Sequence, residues 1–398
     1  MKKEALIFTF LFFITLPLYL IANNGDSKLS VKDFVTTWDT ENYGVSGSSS
    51  IKIPAYEGFF NYKVDWDNDG VFDQFNIKGV VTYNYGKPGI YTIRISGDFP
   101  RIAFNNEGDK LKLIEINQWG NQEWTSMRNA FWGCENLEGL AKDVPNLSNL
   151  TNLDGMFESA SSFNQNINNW DTSTVNNMAG MFAGARTFNQ PLNKWNTSNV
   201  MDMSFMFSQA TLFNQNINQW NTSKVRTMRA MFQKAISFNK DLNHWNTISV
   251  IDMKMMFSQA INFNSKINDW NVENVKTFSL MFQGDKKFNQ DLSNWNTVNA
   301  IDMKSMFILA HDFDQNLSKW NITNLKFAQG MFSGGRLSVE NYDALLIGWS
   351  SQNVKNQIIF GAGSSKYCSG KSSRTKMISN GFIIEDAGLN CENDFVEK

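Results

Sequence analysis

The chain has 398 residues, a net charge of −2 and an aromatic content of 14%. This length exceeds that of a typical single domain, and the composition is that of a globular protein. Because there is no excess of basic residues to contact phosphates, the composition argues against nucleic acid as a partner.

The N-terminus predicts export. Lys2 and Lys3 precede an apolar run over residues 5–22, after which the chain becomes polar. This order predicts a secretory signal peptide over residues 1–22, with Ala22 as the last residue before cleavage. The alternative is an uncleaved membrane anchor, because the run is near the shortest length that spans a bilayer. We therefore expect a secreted or cell-surface protein, in which any membrane contact is made by this segment alone.

The chain has three cysteines, Cys134, Cys368 and Cys391. Cys368 and Cys391 bracket the C-terminal segment, so a disulfide between them is predicted, which would stabilise the fold by about 3 kcal/mol. Cys134 is predicted to be a free cysteine in the core. Three scattered cysteines and two histidines are too few for a transition-metal site.

The middle of the chain repeats every 25 residues without an insertion or deletion, a period that predicts a solenoid. Tryptophan marks each repeat: Trp170, Trp195, Trp220, Trp245, Trp270, Trp295 and Trp320. Within one unit the apolar residues have the spacing of one helix face: Val200, Met203, Met206, Phe207 and Ala210. This spacing predicts one short helix per unit, and residues 188–195 are predicted to form a brief strand with a turn. Stacking would cover the apolar stripe of each helix, which is marginal alone.

Two polar columns also recur in this region, one starting at Asn164 and one at Asp171. An amide side chain can donate to one neighbouring turn and accept from another, so a structural ladder is predicted there rather than a ligand site.

These motifs resemble a known repeat family. Phe-Asn-Gln, Leu-Asn-x-Trp-Asn-Thr-Ser and Val-x-x-Met-x-x-Met-Phe-x-x-Ala are similar to the repeats of the BspA-like leucine-rich-repeat surface proteins, also called DUF285. The resemblance covers residues 111–335. It implies a leucine-rich-repeat-like α/β solenoid and a role in adhesion or partner binding at or outside the cell surface. It does not imply a catalytic activity.

Different modules flank the array. Strands are predicted at residues 62–64, 80–85 and 91–95, and residues 31–105 resemble the small all-β PKD-like sandwich that precedes such arrays in many family members. Residues 336–398 resemble the terminal cap of the family, with a helix over residues 337–352 and strands at residues 358–360 and 382–384. Solenoid ends need such closure because a bare last turn exposes its core.

The PKD-like segment contains an acidic loop, residues 65–73. Asp65, Asp67, Asp69 and Asp73 alternate with other residues, and Gly70 follows, as in the first half of a calcium loop. Asn76 takes the place of the twelfth-position glutamate, and no flanking helices are expected. An acidic hairpin turn is therefore the favoured interpretation, a weak structural calcium site is the alternative, and no other cofactor is expected.

No nucleophile elbow, phosphate loop or metal cluster is present, so we expect no enzyme. The favoured function is a monomeric adhesion module for protein or glycan partners. The alternatives are a surface spacer without a ligand and, less favoured, a secreted hydrolase. The predicted binding face comprises the variable columns beside each tryptophan, represented by Asp241, His244, Lys266 and Asp269.

Overall fold

The computed structural model describes residues 30–354 and 357–391, so the predicted signal segment lies outside the described residues. Ten strands and two helices occur in this part of the chain. In order they are β1 (Phe34–Asp39), β2 (Ser50–Ile53), β3 (Asn61–Asp65), β4 (Gln74–Ile77), β5 (Val81–Asn84), β6 (Ile90–Asp98), β7 (Leu113–Gln118), β8 (Glu138–Gly139), α1 (Val339–Ser350), β9 (Ile358–Gly361), α2 (Lys371–Ser379) and β10 (Phe382–Glu385).

The N-terminal strands form a six-stranded sheet of order β4-β3-β6-β1-β7-β8 and a two-stranded sheet of β2 and β5. The strands predicted at residues 62–64, 80–85 and 91–95 are confirmed as β3, β5 and β6. Strand β1 pairs antiparallel with both β6 and β7. The larger sheet therefore continues beyond residue 105, where the sequence predicted the module to end, into the start of the array.

The predicted helix in each repeat is wrong. Residues 111–335, all of which are described, contain no helix. Successive units are joined by isolated parallel bridges 25 residues apart, such as that between Asp202 and Thr227. We call the side of the array that carries these bridges the bridge side.

Backbone bonding explains the absence of helices. The amides of Phe205, Phe207 and Gln209 donate to carbonyl oxygens of the next unit at 2.8, 2.9 and 2.7 Å, while the amides between them close turns within their own unit. Phe205 and Gln209 have φ values of 58° and 59°. Left-handed residues at this spacing interrupt an α-helix, so the buried spacing arises from consecutive turns.

The strand predicted at residues 188–195 is also wrong, because the bridges lie at residue 202 and its equivalents. The indole Nε1 of Trp195 donates to the Ile167 carbonyl at 3.0 Å, and Trp220 repeats this bond to Leu192 at 3.0 Å. Tryptophan side chains therefore satisfy backbone carbonyls that strand pairing would otherwise use. We call this the tryptophan side.

Spacing between units increases towards the tryptophan side. Neighbouring rings are almost parallel, so the distance between their centroids measures the unit spacing at each position. It is 5.7 Å for Phe182 and Phe207, and 6.4 Å for Trp195 and Trp220. Paired strands are only about 4.8 Å apart. The stack therefore bends towards its bridge side.

The predicted ladder at the Asn164 column is confirmed. The amide of each unit donates to the Asn Oδ1 one unit earlier, as Asn214 does to Asn189 at 2.9 Å. At the Asp171 column the side chain instead bonds locally, since Asn196 Oδ1 accepts from the Ser198 amide at 3.0 Å. Only the first column therefore links units through its side chains.

The C-terminal elements close the array. The predicted helix and strands are confirmed as α1, β9 and β10. Phe360 of β9 bridges Ala328, and the Phe332 amide donates to the Gly361 carbonyl at 2.9 Å. These C-terminal elements thus continue the backbone ladder of the last repeat and cover its apolar edge.

Candidate functional site

The acidic loop connects β3 to β4. Asp65, the last residue of β3, is fully buried, and the chain turns back through Asn68 and Gly70, whose φ values are 58° and 96°. The Trp66 amide donates to Asp73 Oδ2 at 2.7 Å and closes the loop. Its acidic residues are therefore held by backbone geometry that asparagine and glycine adopt readily.

Three of the four predicted calcium ligands come together. Carboxylate oxygens of Asp65, Asp67 and Asp73 all lie within 4.8 Å of one another. Asp69 lies outside this group, and its Oδ1 accepts from the Val71 amide at 2.7 Å. Oxygen atoms of this kind are the ligands that calcium prefers. The geometry thus fits a cation held by three of the four residues.

Burial raises the pKa of Asp65, and nearby Asp67 raises it further. The amides of Gly70, Asn68 and Asp69 oppose this change, and that of Gly70 donates to Asp65 Oδ2 at 2.9 Å. A cation among the three carboxylates would offset the cost that burial imposes on the ionised form. The arrangement suits electrostatic stabilisation of the turn by an ion.

The predicted binding face lies on the tryptophan side, and Asp241, His244, Lys266 and Asp269 are all exposed. The Asn218 side-chain amide lies 3.1 Å from Asp241 Oδ2 and 3.0 Å from His244 Nδ1. Asp269 accepts from the amide of Asn243, the next asparagine in the same column. A row of asparagines therefore orders three of the four polar side chains on this surface.

The cysteines have two different environments. Cys368 and Cys391 form a disulfide with a Cα–Cα distance of 5.0 Å, beside a bridge between Tyr367 and Leu389. Cys134 is free and fully buried, and this burial raises the pKa of its thiol well above the usual range. Because the thiolate is the reactive form, Cys134 is a poor nucleophile.

The comparisons with known proteins identify the repeats. The sequence profile of a family described as "Mycoplasma protein of unknown function, DUF285" matches residues 101–200, 125–244, 190–281 and 228–345. The chain belongs to the DUF285 family. A comparison with curated proteins found no match, and a comparison with solved structures found none either.

The DUF285 match begins before β7 and ends within α1. Strands β7 and β8 of the six-stranded sheet therefore lie inside the DUF285 region, whereas β1 to β6 precede it. Neither helix in the described part of the chain is long and apolar enough to span a bilayer.

Sequence reasoning missed the pattern on the bridge side of the DUF285 array. Asp202, Asp252 and Asp302 alternate there with Thr227 and Thr277. Adjacent positions in such a ladder are about 4.8 Å apart, and like charges directly opposite each other destabilise it. Alternation separates the carboxylates by two units. This alternation is visible in the sequence, because Asp recurs at this position every 50 residues, that is, in every second 25-residue unit.

Proposed function

We propose that this DUF285 chain is an exported, monomeric adhesion protein whose array binds protein or glycan partners without catalysing a reaction. On this proposal the array is a leucine-rich-repeat-like solenoid in which turns replace the helices. Residues 31–105 serve as a PKD-like module and residues 336–398 as the terminal cap.

The contrast between recurrent and variable residues of the array supports the binding role. Residues that recur unchanged along the array, such as Trp245 and Asn239, are used by the stack, since they bond to neighbouring units. Residues that vary between units, such as Asp241 and Lys266, are exposed. A regular backbone that displays variable polar side chains suits a partner that makes many weak contacts.

The cysteine chemistry supports export. Disulfides persist in oxidising compartments outside the cytosol, and the Cys368–Cys391 bridge lies in the cap, where it closes the last elements. The apolar run at residues 5–22 supports the same location.

Binding of the full chain to printed glycans and immobilised matrix proteins tests the proposal. Replacing Asp241, His244, Lys266 and Asp269 together with Ser should abolish binding to the matrix proteins and neutral glycans that the wild type binds. A matched control replaces Arg226, Asp252, Lys276 and Asp302 on the bridge side with Ser and should retain it. Equal binding by both variants would exclude the tryptophan side as the site.

A spacer function is the second candidate. The bonds from Asn218 to Asp241 and His244 favour it, because they let exposed side chains satisfy one another without a ligand. Absence of binding to every glycan and matrix protein would support this alternative.

A further inference from the structure

A groove of about 440 Å³ lies where three loops meet beside the start of the array. The loop between β1 and β2 contributes Tyr43 and Val45, and the loop between β2 and β3 contributes Tyr56. The turn before β7 contributes Glu107 and Lys110. The volume falls within the range of small-ligand sites, which is about 300–1,000 Å³.

The apolar side chains in this groove are unusually exposed. Tyr43 is 83% exposed, Val45 62% and Tyr56 39%. Within the described residues neither tyrosine ring stacks on another ring, and neither hydroxyl forms a hydrogen bond. Clustered exposed apolar residues mark interaction sites more often than scattered ones do. Tyrosine suits such sites because it joins an apolar face to a polar hydroxyl.

A buried charged pair fixes the loop that carries Tyr43. Asp109 and Lys112 are each 1% exposed and lie 3.9 Å apart. Asp109 accepts from the amides of Val45 and Lys52, each at 2.8 Å, and Lys112 Nζ donates to the Ser50 carbonyl at 2.9 Å. Burying a charge pair is costly. Here it holds a polar loop in a single conformation.

Close packing excludes other arrangements of this loop. A side-chain carbon added at Gly44 would lie 2.5 Å from Asp109 Oδ1. The opposite wall is equally constrained, since Asn105 and Asn106 have φ values of 49° and 63° and their amides bond to the array carbonyls of Asn129 and Trp132. Asparagine adopts the left-handed region readily, and the two bonds to the array hold this wall in place. The groove is therefore preorganised.

The groove also contains an unpaired cation. Lys52 lines it, and within the described residues its ammonium group forms neither a hydrogen bond nor an ion pair. The Lys110 ammonium donates to Asn106 Oδ1, and Glu107 forms no ion pair in the described residues. The charged groups facing the groove are thus two cations and one anion. A ligand with one negative charge would complement Lys52.

We propose that this groove binds an acidic saccharide, with a sugar ring packed against Tyr43 and Tyr56 and its carboxylate paired with Lys52. A pyranose ring presents apolar C–H groups on its faces and hydroxyls at its rim, which matches tyrosine rings bordered by polar side chains. The inference rests on the proposed function for its extracellular setting. The site is separate from the tryptophan side.

The test uses the full chain on a printed array of saccharides that end in a uronic acid, each beside the neutral hexose analogue. Acidic members should bind and the neutral analogues should not. For the best acidic member, Lys52→Gln should weaken binding about tenfold or more in calorimetry, the loss expected for one charge-assisted contact. Tyr43→Ala should weaken binding about tenfold, because it removes the ring that packs against the sugar. Tyr43→Phe should retain most of the affinity.

Phe59→Ala is the matched control, because Phe59 is 98% exposed but does not line this groove. It should bind as the wild type does. The inference is overturned if no acidic saccharide binds, if neutral analogues bind equally, or if Lys52→Gln binds as the wild type does. Preference for an acidic peptide over every saccharide would also overturn it. The quadruple Ser variant should keep groove binding, so failure of one proposal leaves the other standing.

Discussion

The N-terminal region and the array are stabilised by different kinds of interaction. The N-terminal region depends on single buried charge pairs, Arg94 with Asp33 at 3.3 Å and Lys112 with Asp109 at 3.9 Å. Residues 155–335, all described, contain no ion pair, and the units from Trp195 to Trp320 repeat the same neutral bonds and ring stacks. Unique charges therefore determine one loop geometry, whereas repeated neutral contacts build a stack of any length.

The largest expected effect comes from removing the charge that holds the Tyr43 loop. Asp109→Ala leaves Lys112 buried without its partner, which should lower the free energy of unfolding by about 3–5 kcal/mol. Asp98→Ala is the control, since Asp98 is exposed at the end of β6. Urea unfolding followed by tryptophan fluorescence measures both. If the two variants differ by less than about 1 kcal/mol, the pair does not stabilise this region.

The array should respond equally at equivalent positions. Trp245→Phe removes the bond from Nε1 to the Ile217 carbonyl at 3.0 Å and leaves that carbonyl buried, at a cost of about 1–3 kcal/mol. Trp270→Phe removes the same bond to Leu242 at 2.9 Å and should cost the same. Clearly unequal losses in urea unfolding would contradict the equivalence of the units.

The difference between the two regions also determines how much of each the sequence predicts. The Trp245 and Asn239 columns recur every 25 residues, and stacking requires the same contact in each unit, so their structural role was readable. The local backbone structure is not predictable in this way. Buried residues at the spacing of Met203, Met206, Phe207 and Ala210 are compatible with consecutive turns as well as with a helix. Spacing identifies buried positions but does not say whether an amide bonds within its unit or to the next.

The contacts that hold the N-terminal region together do not recur along the sequence, so no periodic pattern predicts them. The Ser46 amide donates to Asp109 across 63 residues, and no second copy of this contact marks it in the sequence. The same holds for the Tyr43 groove, which three separate loops form. The acidic loop was predictable because its residues are close in sequence, although Asp69 bonds to its own turn instead of joining the cluster.

One buried carboxyl group interrupts the apolar core of the array. Asp285 stands where the neighbouring units have Ala260 and Ala310. It is fully buried, and neither carboxyl oxygen accepts a well-aligned hydrogen bond. Burial raises its pKa from 3.8 to about 9, although the amides of Lys287 and Phe288 oppose the change. The folded chain therefore keeps a proton that the unfolded chain loses above about pH 4.

Stability should consequently fall as pH rises between about 4 and about 9. Asp285→Ala should remove this component and raise the free energy of unfolding by about 1–3 kcal/mol at pH 8, with a smaller gain at pH 5. Ala260→Gly serves as a control that should leave the pH dependence unchanged. Urea unfolding at the two pH values measures the difference. A gain that is equal at both values would contradict ionisation of Asp285 as the cause.

Calcium should affect only the N-terminal region. Weak extracellular sites have dissociation constants of about 10⁻⁴–10⁻³ M, so calcium at about ten times that concentration should stabilise the region by about 1 kcal/mol. Asp67→Asn should remove the effect, and Asp69→Asn should preserve it because Asp69 lies outside the cluster. Calorimetry with calcium and with a chelator checks this. Identical melting temperatures in both conditions would contradict calcium binding and support the interpretation of this loop as an acidic hairpin turn.

The smallest expected effect is on the tryptophan side. Asp241, His244, Lys266 and Asp269 are exposed, and their replacement by Ser should change the free energy of unfolding by no more than about 0.5 kcal/mol. The bonds from the side chains of Asn218 and Asn243 would be lost, but both amides can bond to water instead. The Asn243 backbone amide, which donates to Asp241 at 2.9 Å, can bond to the serine hydroxyl or to water. Replacement of the exposed bridge-side residues Arg226 and Lys276 with Ser is the comparison in urea unfolding. A loss above about 1 kcal/mol on the tryptophan side alone would mean that these side chains stabilise the stack. Such a result would favour the spacer function, since residues required by the stack are not free to vary for a partner.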